Sequence, residues 1–149
     1  MTKDEMKKVV CQAIDEAAEK IHETVLRIES EPELGYKETK TAAKVESYMK
    51  ELGLTPQTGL ALTGVKTCVD GGKKGPAVAV LAELDAVGTP DSPKADPLTG
   101  AAHTCGHFLQ MASMLAACTG IVKSGVMKDL AGSAVFFAVP AEEYVEIDY

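Results

Sequence analysis

The residues best suited to chemistry lie in one short stretch, from His103 to His107. Two of the three histidines of the protein occur here, with Cys105 between them. Thiolate and imidazole are ligands that zinc and other borderline divalent metals prefer. Cys105 and His107 are two residues apart, so an extended or turn backbone can direct both side chains at one point, whereas a helix would separate them. Gly106 allows the tight backbone that this convergence needs. The stretch therefore predicts part of a metal site.

A second interpretation of the stretch needs no metal. Two ligands fall short of the three or four that a zinc site requires, and a small buried thiol beside two hydrogen-bonded histidines would have the same sequence. The remaining ligands must come from elsewhere in the chain. The third histidine, His22, is expected to be solvated or locally hydrogen-bonded.

Carboxylates that could complete the site follow two apolar stretches. Residues 77–82 and 134–139 are apolar at every position, which is typical of central strands in a sheet covered on both faces. Ligand sites of α/β sheets gather beyond the carboxyl ends of the strands. Either acidic pair by itself would be typical of a solvated loop. Together with the Cys/His turn, the two pairs indicate a site. The pairs are Glu83 with Asp85, and Glu142 with Glu143.

The adjacent pair Glu142 and Glu143 predicts hydrolysis. One carboxylate can bind the metal while the other takes a proton from water whose pKa the cation lowers. A mixed nitrogen, sulfur and oxygen ligand set suits zinc, manganese, cobalt or nickel. No G-x-S-x-G motif and no P-loop occurs, which argues against a serine nucleophile and phosphate chemistry. A thiol redox protein is disfavoured because no second cysteine lies near Cys105.

Composition limits the partners and the location. The formal charge is −7, and fourteen of the fifteen basic residues are lysine. Nucleic acids and anionic membranes need clustered positive charge, so we expect neither as a partner. No apolar run reaches membrane-spanning length and Met1–Lys8 has no signal-peptide core, which predicts a cytoplasmic protein. Cys11, Cys68 and Cys118 lack paired spacing and are expected to be packing residues.

The elements that must position these residues fit one α/β domain. Apolar spacings of three and four predict helices from Asp4 to about Glu29, from about Lys37 to Leu52, and from His107 or Phe108 to about Lys123. Leu109 is expected to face inward on the third helix. Strands are predicted at Val65–Val69 and Pro76–Leu84, joined as a hairpin by the glycine-rich turn at 71–75, and again at 134–139.

Four segments resemble the successive signatures of a known enzyme family. They are residues 30–36 (SEPELGY), 82–86 (AELDA), 103–107 (HTCGH) and 140–143 (PAEE). In this order they resemble the metal-dependent amidohydrolases and aminoacylase-type peptidases, which include hippurate hydrolase, aminobenzoyl-glutamate hydrolase and auxin-conjugate hydrolases. The resemblance extends from Ile21 onwards. It implies a zinc-peptidase-like catalytic domain of α/β class, with a mixed, mostly parallel sheet flanked by helices.

The resemblance also implies roles for five residues. Cys105, His107 and Glu143 would be metal ligands. Glu142 would be the general base, and Asp85 the catalytic-site acid that orients the ligands. The family often holds two metals, roughly 3.5–4 Å apart. The implied substrate is an N-acyl amino acid or a small peptide.

The sequence departs from the family at three positions, which indicates a divergent subgroup. Phe108 stands where many relatives have aspartate, Gln110 where many have histidine, and Leu81 where arginine is usual.

The end of the chain differs as well. Family members continue past the Glu-Glu pair and supply two more histidine ligands and a lid and dimerisation domain, whereas no histidine follows His107 here. We therefore expect residues 1–149 to be the amino-terminal part of an incomplete catalytic domain, whose complete form could be a homo-oligomer. The alternative is a truncated, non-catalytic fragment that binds a metal or a partner through uncovered strand edges.

Overall fold

The computed structural model describes residues 1–143, and a long helix comes first. This helix, α1 (Lys3–Glu29), begins at a capping box, in which the Thr2 side chain accepts the backbone N–H of Glu5 and the Glu5 carboxylate accepts that of Thr2. It buries one apolar stripe, as the residue spacing predicts. The second helix, α2 (Thr39–Glu51), begins two residues later than predicted.

The strands form a mixed sheet. They are β1 (Gln57–Leu60), β2 (Gly64–Asp70), β3 (Lys73–Glu83), β4 (Val87–Gly88), β5 (Ala101–Ala102) and β6 (Ala131–Val139). Four of them lie in the order β1-β2-β6-β3, while β4 pairs with β5 separately. β3 runs parallel to β6, whereas the β1–β2 and β2–β6 pairings are antiparallel. The mixed sheet and its helices confirm the predicted α/β class, with a smaller parallel share than expected.

The predicted hairpin between β2 and β3 was wrong. The two strands are consecutive in the chain, but β6 lies between them in the sheet. Their glycine-rich connection binds the segment before and at the start of β6, because the N–H of Gly71 donates to the carbonyl of Gly132 at 2.7 Å and that of Gly72 to Met127 at 3.1 Å. The turn is therefore wide enough to admit a third strand.

β6 is central as predicted, but β3 is an edge strand. Among residues 1–143 no further strand pairs with the outer side of β3. Val78 is 63% and Leu81 59% exposed, while Phe136 and Ala138 of β6 are buried. A strand that is apolar on both faces can be covered by neighbouring elements. The pattern does not tell whether a further strand pairs with its outer side.

The third helix, α3 (His107–Ser124), packs against α1 and β3. A Cβ atom at Gly120 would lie 2.9 Å from the side chains of Val10 and Ile14, so this glycine allows the close approach of α3 to α1. Leu109 is exposed rather than buried, because it lies two positions from the buried Met111 and so on the opposite side of the helix. A short 3-10 helix, Val126–Asp129, connects α3 to β6.

The packing prediction holds for one of the three cysteines. Cys118 is buried within the core, but Cys11 and Cys68 are exposed. Cys68 points outward from β2, where its thiol lies 3.6 Å from Asp70 Oδ1. Within the described part of the chain, no helix is both long and apolar enough to cross a membrane.

Candidate metal centre

The parallel pairing of β3 with β6 brings the two acidic pairs together. Glu83 is paired with Val139 at the carboxyl ends of the strands, and the Leu84 N–H donates to the Val139 carbonyl at 2.9 Å. The two parallel strands therefore end on the same side of the sheet. Asp85, two residues beyond β3, and Glu143, four residues beyond β6, meet there, since Asp85 Oδ2 accepts the backbone N–H of Glu143 at 2.8 Å.

His107 is buried and lies at the centre of the group of acidic residues at the carboxyl ends of β3 and β6. It is the first residue of α3, after Gly106 in the left-handed conformation with φ of 92°. Its Nδ1 lies 3.1 Å from the main-chain oxygen of Asp85. A carbonyl can only accept, so this hydrogen bond requires a proton on Nδ1, and Nε2 is the nitrogen that can bind a metal ion.

Three carboxylates face the Nε2 atom of His107. The distances from Nε2 are 2.9 Å to Glu83 Oε2, 3.6 Å to Glu142 Oε2 and 3.7 Å to Glu143 Oε1. Ligand atoms about 2.1 Å from a tetrahedral ion lie roughly 3.4 Å apart. The nitrogen–oxygen separations to Glu142 and Glu143 therefore suit a shared cation.

The predicted ligands lie together. One donor atom each from Cys105, His107 and Glu143 fall within 4.8 Å of one another, and the same limit holds for Glu83, His107 and Glu142. The two groups share His107 and include both glutamates of the adjacent pair. That these residues bind a metal stays a prediction.

The charge of the site favours a cation. Four carboxylates lie around one imidazole, and in residues 1–143 no lysine or arginine forms an ion pair with any of them. These carboxylates belong to Glu83, Asp85, Glu142 and Glu143. The fully buried Asp85 also has an oxygen, Oδ1, without a hydrogen-bond partner. Negative charge gathered around a buried carboxylate costs free energy unless a positive ion offsets it. The donor set thus fits a divalent metal.

The thiol of Cys105 responds to the same surroundings. Partial desolvation raises its pKa, and the negative charges of Glu143 and Asp85 raise it further, against a lowering by the backbone N–H of His107. Without a cation the thiol is therefore protonated at neutral pH. A metal reverses this preference, because a coordinated thiol is deprotonated.

Not every residue of the Cys/His stretch joins the centre. His103 belongs to neither donor group; its ring packs against Phe108 with centroids 5.7 Å apart. Burial lowers the pKa of His103, and the nearby His107 lowers it further.

Sequence reasoning gave no role to two polar residues near the centre, although it singled out Gln110 as a departure from the family. Gln110 donates from Nε2 to Glu83 Oε2 at 2.7 Å and so holds the carboxylate that faces His107. Its position three residues after His107, on the same face of α3, is the signal that could have identified it. Glu38 reaches the turn before Glu142 from α2, and its neighbours Lys37, Thr39 and Lys40 gave no sign that it is buried.

No model of a known protein family matches the chain. Several individual curated proteins are similar to it in sequence. The Bacillus subtilis protein YhaA, which is named as an amidohydrolase, is 32% identical over 142 residues, covering 93% of this chain and 35% of that protein. Thermostable carboxypeptidase 2 of Saccharolobus solfataricus is 34% identical over 122 residues, covering 78% and 30%. The N-acetylcysteine deacetylase of Bacillus subtilis is 30% identical over 119 residues, covering 75% and 30%. The chain thus spans about a third of the length of these relatives.

A solved structure gives the same result for the fold. The Bacillus subtilis YXEP protein, described as a dinuclear metal binding peptidase from the M20 family, superposes with a TM-score of 0.72 at 26% identity. The match covers 83% of this chain and 35% of that one. The relatives and the shared fold confirm the family predicted from the four motifs, and the chain belongs to the metal-dependent amidohydrolases and aminoacylase-type peptidases, of which it spans a part.

Proposed function

We propose that the full-length protein hydrolyses the amide bond of an N-acyl amino acid or a small peptide, with water as the nucleophile. The observation that carries this proposal is the convergence of Cys105, His107 and Glu143, whose donor atoms lie within 4.8 Å of one another. Two of the relatives are named for cleaving an amide bond of an amino acid, the carboxypeptidase and the N-acetylcysteine deacetylase. Residues 1–149 would be the amino-terminal part of the catalytic domain.

Each residue of the site has a separate task in this reaction. Cys105, His107 and Glu143 hold the divalent cation, which when bound lowers the pKa of water and polarises the substrate carbonyl. Glu142 is more exposed than Glu143, and its carboxylate takes the proton from the attacking water and passes it to the leaving nitrogen. Asp85 keeps the proton of His107 on Nδ1 and fixes the backbone of Glu143.

A second cation is proposed because YXEP is described as dinuclear, with Glu83 as its ligand from this chain. Both donor groups share one imidazole, so ligands from outside residues 1–149 are needed to complete two coordination shells. We therefore propose that this chain alone binds metal weakly and turns over little. Zinc, manganese, cobalt and nickel all suit the mixed donor set. A cytoplasmic location and a homo-oligomer remain predictions.

A non-catalytic role is the second candidate. The apolar edge of β3, which no strand of residues 1–143 covers, is the observation that favours it, because such an edge can bind another chain. Metal dependence separates the two candidates, since binding through β3 needs no cation.

The test uses the full-length protein, freed of metal and then supplied in turn with Zn²⁺, Mn²⁺, Co²⁺ and Ni²⁺. N-acetyl, N-benzoyl and dipeptide substrates are compared by measuring the release of free amino acid. We expect hydrolysis with at least one metal and its loss on chelation. Glu142→Gln should bind the metal but not turn over. Absence of hydrolysis with all four metals would contradict the proposal.

A further inference from the structure

Glu38 is a fully buried carboxylate that none of the tasks above uses. It is 0% exposed and lies at the N-cap position of α2. Its Oε2 accepts the hydroxyl proton of Thr63 at 2.7 Å, and its Oε1 accepts the backbone N–H of Ala141 at 2.8 Å. Ala141 is 103 residues away in the chain and directly precedes Glu142. The carboxylate therefore connects α2 to the turn that carries the candidate base.

Glu38 does not cap its own helix, although it occupies the position that usually does so. Glu33 caps α2 instead, because its carboxylate accepts the N–H groups of Lys40 at 3.1 Å and Thr41 at 2.8 Å. The positive end of the α2 dipole stabilises both carboxylates. The side chain of Glu38 is thus free to extend away from the helix.

The turn that Glu38 holds has an unfavourable backbone. Ala141 has φ of 57°, in the left-handed region that residues with a Cβ atom rarely adopt. Such a conformation persists only where the surroundings fix it. Here two buried carboxylates do so, since Glu38 binds the N–H of Ala141 and Asp85 binds that of Glu143.

We propose that Glu38 is a positioning residue, which keeps Ala141 in its left-handed conformation and thereby directs the side chains of Glu142 and Glu143 at His107. If the hydrogen bond to Ala141 is lost, the backbone can relax to negative φ, and the two glutamates that follow change direction. The inference rests on the proposed function for its meaning in catalysis. The backbone restraint itself does not depend on a metal.

Three substitutions in the full-length protein separate positioning from mere stability. Glu38→Asp keeps the charge, but the shorter side chain no longer reaches Ala141 and is well suited to cap α2 instead. Glu38→Gln keeps both the length and an acceptor for Ala141, while its amide group can donate to the Thr63 oxygen. Thr63→Val is the matched control, since it removes the other hydrogen bond of Glu38 and leaves Ala141 untouched. Glu38→Ser, another good helix cap, replaces the aspartate variant if that variant does not fold.

Two measurements are made on each variant. Hydrogen exchange of the Ala141 and Glu143 amides reports on the turn without metal, and calorimetric titration with Zn²⁺ reports on the site. In Glu38→Asp we expect faster exchange of both amides and at least about 10-fold weaker zinc affinity, as is usual when a group that supports a ligand is lost. Glu38→Gln and Thr63→Val should stay within about threefold of the parent affinity.

The outcomes distinguish a failure of this inference from a failure of the proposed function. If Glu38→Asp matches the parent in both exchange and affinity, or if Thr63→Val weakens zinc binding as much as Glu38→Asp does, Glu38 is only a structural residue and the inference is wrong. If the parent protein itself binds no metal, the proposed function fails, while amide exchange still decides whether Glu38 restrains the turn.

Discussion

Asp85 binds the backbone of Glu143 across 58 residues of sequence, with its Oδ2 atom 2.8 Å from the Glu143 nitrogen. The main-chain oxygen of the same residue lies 3.1 Å from Nδ1 of His107. One residue therefore fixes the orientation of two candidate ligands that come from different elements. Asp85 can do this because it is fully buried at the point where the chain leaves β3.

Replacement of Asp85 by asparagine should weaken metal binding without removing a ligand. The side chain loses its negative charge, and an amide group replaces either the oxygen that accepts the Glu143 N–H or the oxygen that lies 3.3 Å from Nδ1 of His107. We expect roughly 10- to 100-fold lower zinc affinity by calorimetric titration. Asp91→Asn, at an exposed loop position, is the control. Equal affinities for the two variants would rule out an orienting role.

Cys105→Ser should remove the soft ligand and change metal preference. Serine is a poor ligand for zinc at neutral pH, so we expect zinc affinity to fall by at least about 10-fold, while binding of harder Mn²⁺ falls less. Cys68→Ser is matched in chemistry and exposure but lies outside the site. Competition with a chromophoric chelator measures both. An unchanged zinc affinity in Cys105→Ser would remove this residue from the ligand set.

Glu142→Gln should separate binding from chemistry in the full-length protein. The amide keeps the shape of the side chain but cannot take a proton from water. Loss of a general base typically costs about 10²- to 10⁴-fold in turnover, and we expect a fall in kcat of this size with zinc affinity within a few-fold of the parent. Steady-state kinetics and titration on the same samples provide the test. If zinc affinity falls as far as kcat does, Glu142 is a ligand rather than the base.

Alkaline pH should destabilise the fold through Cys118. Burial raises the pKa of this thiol from 9.0 to about 12. Above pH 9 the unfolded chain loses the thiol proton while the folded chain keeps it, so the free energy of unfolding falls as pH rises towards 12. The contribution is about 1 kcal/mol between pH 8 and 10.

The comparison of two cysteine variants isolates this effect. Cys118→Ala should flatten the fall in the free energy of unfolding between pH 8 and 10, as measured by urea denaturation. Cys11→Ala, at an exposed position of α1, should keep the slope of the parent. Parallel slopes in all three proteins would show that Cys118 is not the group responsible.

The spacing of nearby apolar and polar residues predicted most of the helices and strands that position the site. The apolar stripe of α1, the start of α3 at His107 and the strand at 134–139 depend on the order of nearby residues, which a periodic pattern records. The convergence of the two acidic pairs followed from one topological rule, and the parallel pairing of β3 with β6 satisfies it.

Features that depend on distant partners could not be predicted in this way. The Gly71–Gly75 segment has the composition of a tight hairpin, yet it opens because β6 enters between its two strands. Glu38 stands among lysines and threonines typical of a solvated helix start, and it is buried only because Thr63 and Ala141 bring donors to it. Neither partner is near it in sequence.

The outer side of β3 has a practical consequence for work on this chain. Residues 77–81 carry no charge, and on the side of β3 away from β6 no strand in the described portion pairs with their amide and carbonyl groups. Nothing there repels a neighbouring molecule, so concentrated samples should self-associate by intermolecular sheet extension. Val78→Lys should raise the usable concentration for NMR or crystallisation. It should leave the candidate metal centre, beyond the carboxyl end of β3, unchanged.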